Sequence, residues 1–259
     1  MEPSMSPITK EAVWAALRDN VPKIAEAYDK RYADEIKDLV EDLADTYNEL
    51  YQVINRPDQD KIPDNEFQAF ALCWTGLNTL LAALNLFRAG YPREPHMLTR
   101  NALEIFATAY DIAANKDRFV TLTQTPEKFH STDSIKEVKK VHPIVAKFYG
   151  GLSEKYTHVS VLHLMPHKSS TPLCIGGLYD SKEQETVAMG LMMLVSSAEV
   201  CSVITEHLLA RYIKPLRYWK LSETREGMLE FVPGGKRGQI LIQRMKKYLT
   251  ALESKEESA

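Results

Sequence analysis

Between Ile36 and Ile54 the apolar residues Ile36, Leu39, Leu43, Tyr47, Leu50 and Ile54 recur at steps of three and four. That spacing puts them on one side of an α-helix and on both sides of a strand, so it selects the helix. The same rhythm returns in Phe67, Phe70, Trp74, Leu77, Leu81 and Leu84. An apolar stripe on one helix needs another helix to cover it. The expected fold is therefore all-α: a multi-helix bundle with two long amphipathic helices and a central antiparallel helical hairpin.

Punctuation along the chain sets the expected boundaries. Ser6 and Pro7 open a short first helix, and Asn20 before Pro22 marks a break. One long helix then runs from Pro22 to about Ile54. The connector "RPDQDKIPDNEF" ends at Asp64, placed to cap a helix that Gly90 terminates. After "YPREP" a helix from Pro95 to Asn115 completes the hairpin, because so short a connection makes the two helices antiparallel neighbours. Residues 116–132 lack steady periodicity and read as loop. Ser134 to Tyr149 reads as a helix interrupted or bent at Pro143 and closed by Gly150 and Gly151, followed by a short helical piece over 152–161. The stretch "MPHKSSTPLCIGGLYD" is an irregular connector with room for a small hairpin. Asp180 and Glu183 form a capping-box-like start for the second long helix, which reaches about Lys214, stops at Pro215 and belongs near the bundle's centre. A Gly-rich turn, a peripheral basic helix at about 236–252 and a frayed charged tail complete a single domain, 1–259.

Composition narrows the setting. Apolar residues make up 44% of the chain and charged residues 26%, enough for a sizeable core. A formal charge of −3 gives no global electrostatic footprint for nucleic acid or anionic lipid. Cys73, Cys174 and Cys201 are odd in number, far apart and set among apolar residues, which fits reduced, buried thiols in a cytoplasm. The most apolar stretch, "TVAMGLMMLVSSAEVCSVITEHLLA", contains Glu199 and Glu206 and reads as a buried helix, with no membrane partner expected.

Two places hold residues of chemical interest. On the helix "HMLTRNALEIFATAYDIAAN", Arg100, Asn101, Glu104, Thr108 and Asp111 share one polar stripe. Arg100 and Glu104 are four apart in the less favourable order for an isolated helix, so their pairing answers to something outside it. An arginine held by one carboxylate keeps donors free for a phosphate or carboxylate ligand. An internal ion pair that holds the bundle together accounts for the same two residues. The second place is "GGLSEKYTHVSVLHLMPHK", with Ser153, His158, His163 and His167. Pro166 disrupts the helix that would align His163 with His167, and no acidic pair completes a ligand set, so no metal or other cofactor is expected. His158, near a hydroxyl and an arginine, has the chemistry of a proton donor or acceptor at neutral pH. A nucleophile elbow, a Gly-rich phosphate loop and a His-Glu-x-x-His zinc helix are all absent from the sequence. Arg244, Lys246 and Lys247 read as a solvated basic face.

The runs "LNLFRAGYPREPHMLTRNALEIFATAYDIAANKDRF" and "FYGGLSEKYTHVS" resemble a group of uncharacterised bacterial all-helical proteins known as a domain of unknown function. In that group an Arg-x-x-x-Glu helix is followed by a later Ser and His pair. The resemblance covers about residues 65–165 and falls on Arg100, Glu104, Ser153 and His158. The group's bundle is similar in turn to the HEPN superfamily, whose active members are metal-independent ribonucleases with an Arg-x(4–6)-His motif. That motif is missing here, since Arg93 stands too close to His96 and Arg88 too far from it. The expectation is a binding or scaffold protein, with Arg100, Glu104, Ser153 and His158 as its binding residues, self-associating as a homodimer. By analogy its role is an accessory or toxin-like component of bacterial stress or phage defence, with RNA or protein as partner. The alternative the resemblance implies is a divergent ribonuclease, with His158 moving the 2′-OH or leaving-group proton and Arg100 stabilising the phosphate charge.

Overall fold

The computed structural model describes residues 9–91, 93–154, 184–222 and 229–232, with positions 239 and 243. The described residues form an all-α bundle carrying one small antiparallel ribbon.

A short helix α1, Lys10–Ala15, is capped by Thr9, whose hydroxyl accepts the Ala12 N–H at 3.2 Å. The expected break before Pro22 is a π-helical turn over Ala16–Asn20, which passes into α2, Val21–Arg31. The long helix expected from Pro22 to Ile54 is divided at Tyr32, whose φ of −113° and ψ of 32° leave the helical region; α3 spans Ala33–Ile54. Tyr32 stacks on Tyr28 and meets Phe87 edge-on, so aromatic packing between helices stands at the break.

The hairpin consists of α4, Asp64–Arg88, and α5, Glu94–Ala114. Asp64 does not cap α4 as expected; Pro63 precedes the helix and no side chain caps it. The neighbouring Asn65 instead donates to the carbonyls of Ile112 and Ala113, tying the start of α4 to the end of α5. Gly90 closes α4 with a φ of 81°, its N–H donating to Phe87 and that of Tyr91 to Leu86. Midway along the hairpin a Cβ on Gly76 would fall 2.5 Å from the Phe106 ring. Glycine there is what lets α4 and α5 close on each other.

Residues 116–132, expected as loop, hold a helix instead. In α6, Lys116–Gln124, the Asn115 side chain accepts the N–H groups of Asp117 and Arg118, so capping succeeds where apolar periodicity is weak. The helix expected over 134–149 is interrupted at Pro143, as one of the two readings had it, giving α7, Ser131–Val141, and α8, Pro143–Leu152. Gly150 and Gly151 lie inside α8 and do not end it.

The bundle closes on α9, Gln184–Leu209, which packs against α3, α4, α5 and α8. Leu191, Leu194, Ala198, Cys201, Ile204 and Leu209 of this helix are sealed in the core. α9 ends at Leu209, short of the expected Lys214. Cys73 and Cys201 are buried free thiols, and burial raises the Cys73 thiol to about 12. The strands β1, Trp219–Leu221, and β2, Leu229–Phe231, were not expected; they pair antiparallel with Lys220 opposite Glu230. The capping box at Asp180, the hairpin expected within 165–180 and the helix expected at 236–252 lie outside the described residues, apart from positions 239 and 243.

Two helices, Asp64–Arg88 and the Gly190–Leu209 part of α9, are long and apolar enough to cross a membrane by length and composition. The apolar window of α9 is 83% buried inside the bundle, that of α4 only 44%. The rest of α4's window is half-buried or exposed.

Candidate functional site

On α5, residues Ala102, Leu103, Phe106 and Ala109 face the core, and Arg100 and Glu104 emerge one turn apart at its edge. The last turns of α8 cross beside them. Arg100 Nε donates to Ser153 Oγ at 2.9 Å, and Nη2 donates to the Tyr149 hydroxyl at 2.7 Å. That hydroxyl donates in turn to Glu104 Oε1 at 2.7 Å, and Arg100 Nη2 lies 2.9 Å from the same oxygen. The guanidinium also stands 4.9 Å from the centre of the Tyr149 ring, close enough for a cation–π contact.

Arg100, Glu104 and Ser153 thus meet, with Tyr149 as a member the sequence reading missed. Its signal was present: Tyr149 and Ser153 are four apart, so α8 turns both toward α5. Burial raises the Tyr149 hydroxyl, and its bond to Glu104 adds to this, so it stays protonated and serves as a donor. Ser153 accepts from a cation, the opposite of the base contact that activates a nucleophilic hydroxyl. The cluster can hold two helices in register and present a polarised hydroxyl. His158, His163 and His167 lie outside the described residues, and so does Cys174. Of the remaining stripe on α5, Asn101 is exposed and Thr108 is buried. Asp111 is buried too, accepting from Arg118 Nε at 2.8 Å and Ser134 Oγ at 2.7 Å.

A second arginine centre was not foreseen at all. Arg217, in the segment after α9, points back between α3 and α9. Its Nη2 donates to Glu49 Oε2 at 2.8 Å, while Nε lies 2.7 Å from Glu49 Oε1 and 3.3 Å from Glu206 Oε2. Asp45 adds a third carboxylate at 3.4 Å. Glu206 is fully buried, and its Oε1 accepts the backbone N–H groups of Tyr218 and Trp219, which fixes the entry to β1. Burial, opposed by the attraction of Arg217, pushes the Glu49 carboxyl up to about 7.

The bundle's third distinctive feature is an exposed face without charge. On α4 the exposed residues Gln68, Ala71, Trp74, Thr75, Asn78, Leu81, Ala82 and Asn85 recur at threes and fours, and no charged residue occurs between Glu66 and Arg88. The neighbouring face of α3 continues it with Ala44, Asn48, Tyr51 and Gln52. Tyr47 joins the two helices, donating to Asn78 Oδ1 at 2.7 Å and meeting the Trp74 ring edge-on at 4.8 Å.

No protein-family model, no curated protein and no solved structure matches this chain.

Proposed function

We propose that the protein is a helical-bundle binding or scaffold protein that self-associates, a second copy of the chain docking on the charge-free face of α4. The observation that carries this reading is the second stripe of α4. One stripe of that helix is buried in the bundle, and the other, from Ala71 to Asn85, is exposed and repeats the same spacing with small, amide and aromatic side chains. Interface centres are depleted in charge and enriched in aromatics. A stripe centred on Asn78 and free of charge can meet its own copy across a two-fold axis with no like-charge clash.

The Arg100 cluster fits this reading as a support. Its cation is already matched by Glu104, and a phosphate arriving at Arg100 would meet that carboxylate. The ribonuclease alternative has one observation in its favour: the Ser153 contact brings the chain to Arg100 five residues ahead of His158.

Sedimentation velocity from sub-micromolar to high micromolar concentrations tests the proposal. A concentration-dependent dimer is expected, lost in Trp74→Glu and Leu81→Glu while helicity is kept. A monomer throughout, or a dimer indifferent to both substitutions, would overturn it. Metal-independent RNA cleavage that disappears in Arg100→Ala and His158→Ala would replace it with the ribonuclease.

A further inference from the structure

Where the chain leaves the helical region at Tyr32, the first turns of α3 and the middle of α9 line a groove of about 320 Å³. The α3 side is acidic: Asp34 and Glu35 stand in the first turn, with Asp38 one turn after Asp34. The α9 side is apolar, because Ala188, Leu191, Met192 and Val195 share one face of that helix. Asp34 and Glu35 are exposed and pair with no cation among the described residues. Acidic residues in a first turn stabilise a helix through its dipole, and that alone accounts for both. It does not account for Ser196. This residue lines the same groove at 0% exposure, and its Oγ has no hydrogen-bond partner. Two other buried hydroxyls of α9 bond back by one turn, Ser202 to Ala198 O at 3.1 Å and Thr205 to Cys201 O at 2.9 Å. Ser197 is also without a partner but does not line the groove. A buried hydroxyl left unpaired is costly and uncommon, so one on the lining of a groove points to a polar group that enters it.

We propose that this groove binds a small primary amine on an apolar body, its ammonium taken by Asp34, Glu35 and the Ser196 hydroxyl, its chain or ring lying along Leu191, Met192 and Val195. An ammonium brings three N–H donors and no acceptor, and the groove offers carboxylate oxygens and a hydroxyl oxygen to receive them. A phosphate or carboxylate ligand would meet the like charges of α3. A bare metal cation would find oxygens but would leave the apolar wall of α9 uncovered. Apolar walls with a few convergent polar groups are the make-up of a small-molecule site. The neighbouring cations of α2 and α3 do not fill the role: Arg31 lies over the Tyr32 ring at 5.5 Å, and neither it nor Lys37 forms an ion pair among the described residues. The Tyr32 ring is itself fixed between Tyr28 at 5.7 Å and Phe87 at 5.8 Å, so this part of the groove is formed before a ligand arrives. The site shares no residue with the exposed face of α4 and does not depend on self-association.

The test is calorimetric titration of the full chain with three probes that share one body: hexylammonium, hexanol and hexanoate. Hexylammonium should saturate at one per chain and weaken as salt is added, hexanol should bind more weakly, and hexanoate should not bind. That comparison needs no variant to fold. Asp34→Asn with Glu35→Gln, both at exposed positions, should weaken hexylammonium about tenfold. Ser196→Ala should weaken it several-fold, which diffuse attraction to an acidic surface would not produce. Met192→Lys places the chain's own ammonium in the groove and should abolish binding while every carboxylate stays. The proposal is overturned if hexylammonium does not saturate, if hexanol or hexanoate matches it, or if any of these variants, folded by circular dichroism, binds as the parent does. Displacement by Ca²⁺ at matched ionic strength would overturn it in favour of an inorganic-cation site.

Discussion

Two arginine centres hold this bundle together, and they differ in what surrounds the same guanidinium. Arg100 faces one carboxylate, a phenol and a hydroxyl at the edge of α5, its side chain 26% exposed. Arg217 faces Glu49, Glu206 and Asp45 between α3 and α9, with Glu206 at 0% exposure. At the first, water shares the work of solvating the charges, and the pair contributes little beyond positioning. At the second, several anions depend on one cation, because burial has removed the water that would otherwise separate them. The difference teaches that an arginine's partners and burial decide its role, and its position on an apolar helix does not.

Four substitutions should break or sharpen that contrast. Arg217→Met leaves Glu49 and Glu206 without their cation and should cost about 3–5 kcal/mol in urea denaturation at pH 8. A cost no larger than that of Arg100→Met would erase the distinction. Next in size is a pH effect at Glu49, whose carboxyl rises from 4.5 to about 7 on folding. Between those values the folded chain keeps a proton that the unfolded chain has released, so stability falls as pH rises through the window and levels off above it. The fall attributable to this group is up to about 3 kcal/mol, and Glu49→Gln should flatten it in denaturation curves taken from pH 4.5 to 8. Smallest is the edge cluster: Arg100→Met or Tyr149→Phe should cost about 1 kcal/mol or less, with dimerisation unchanged.

The helices on apolar stripes were legible in the sequence because each stripe repeats locally. α3 and α4 announce themselves this way, and the buried α9 does so by its long apolar run. The break at Tyr32 was not legible, since no glycine or proline marks it and its cause is aromatic packing against Phe87 on another helix. α6 was missed because its polar composition hides its period, although Asn115 stood in place to cap it. The candidate cluster was readable as far as Arg100 and Glu104 on one helix and Ser153 on another. The Arg217 centre was not, because pairing across a bundle leaves no spacing to detect. Glu206 within an apolar run was its only local trace, and that residue served to argue against a membrane span.

The spacing of those partners along the chain bears on how the molecule is made. Arg217 and Glu49 are 168 residues apart, and Thr46 donates to Ser202 across 156, whereas Arg100 and Tyr149 are separated by 49. Contacts between distant residues close last and weigh more on unfolding than on folding rates. During synthesis α3 therefore leaves the ribosome long before the residues that complete its buried side, and its apolar stripe must wait uncovered while some 150 further residues are added. The hairpin of α4 and α5, joined at once through Gly76, needs no such wait.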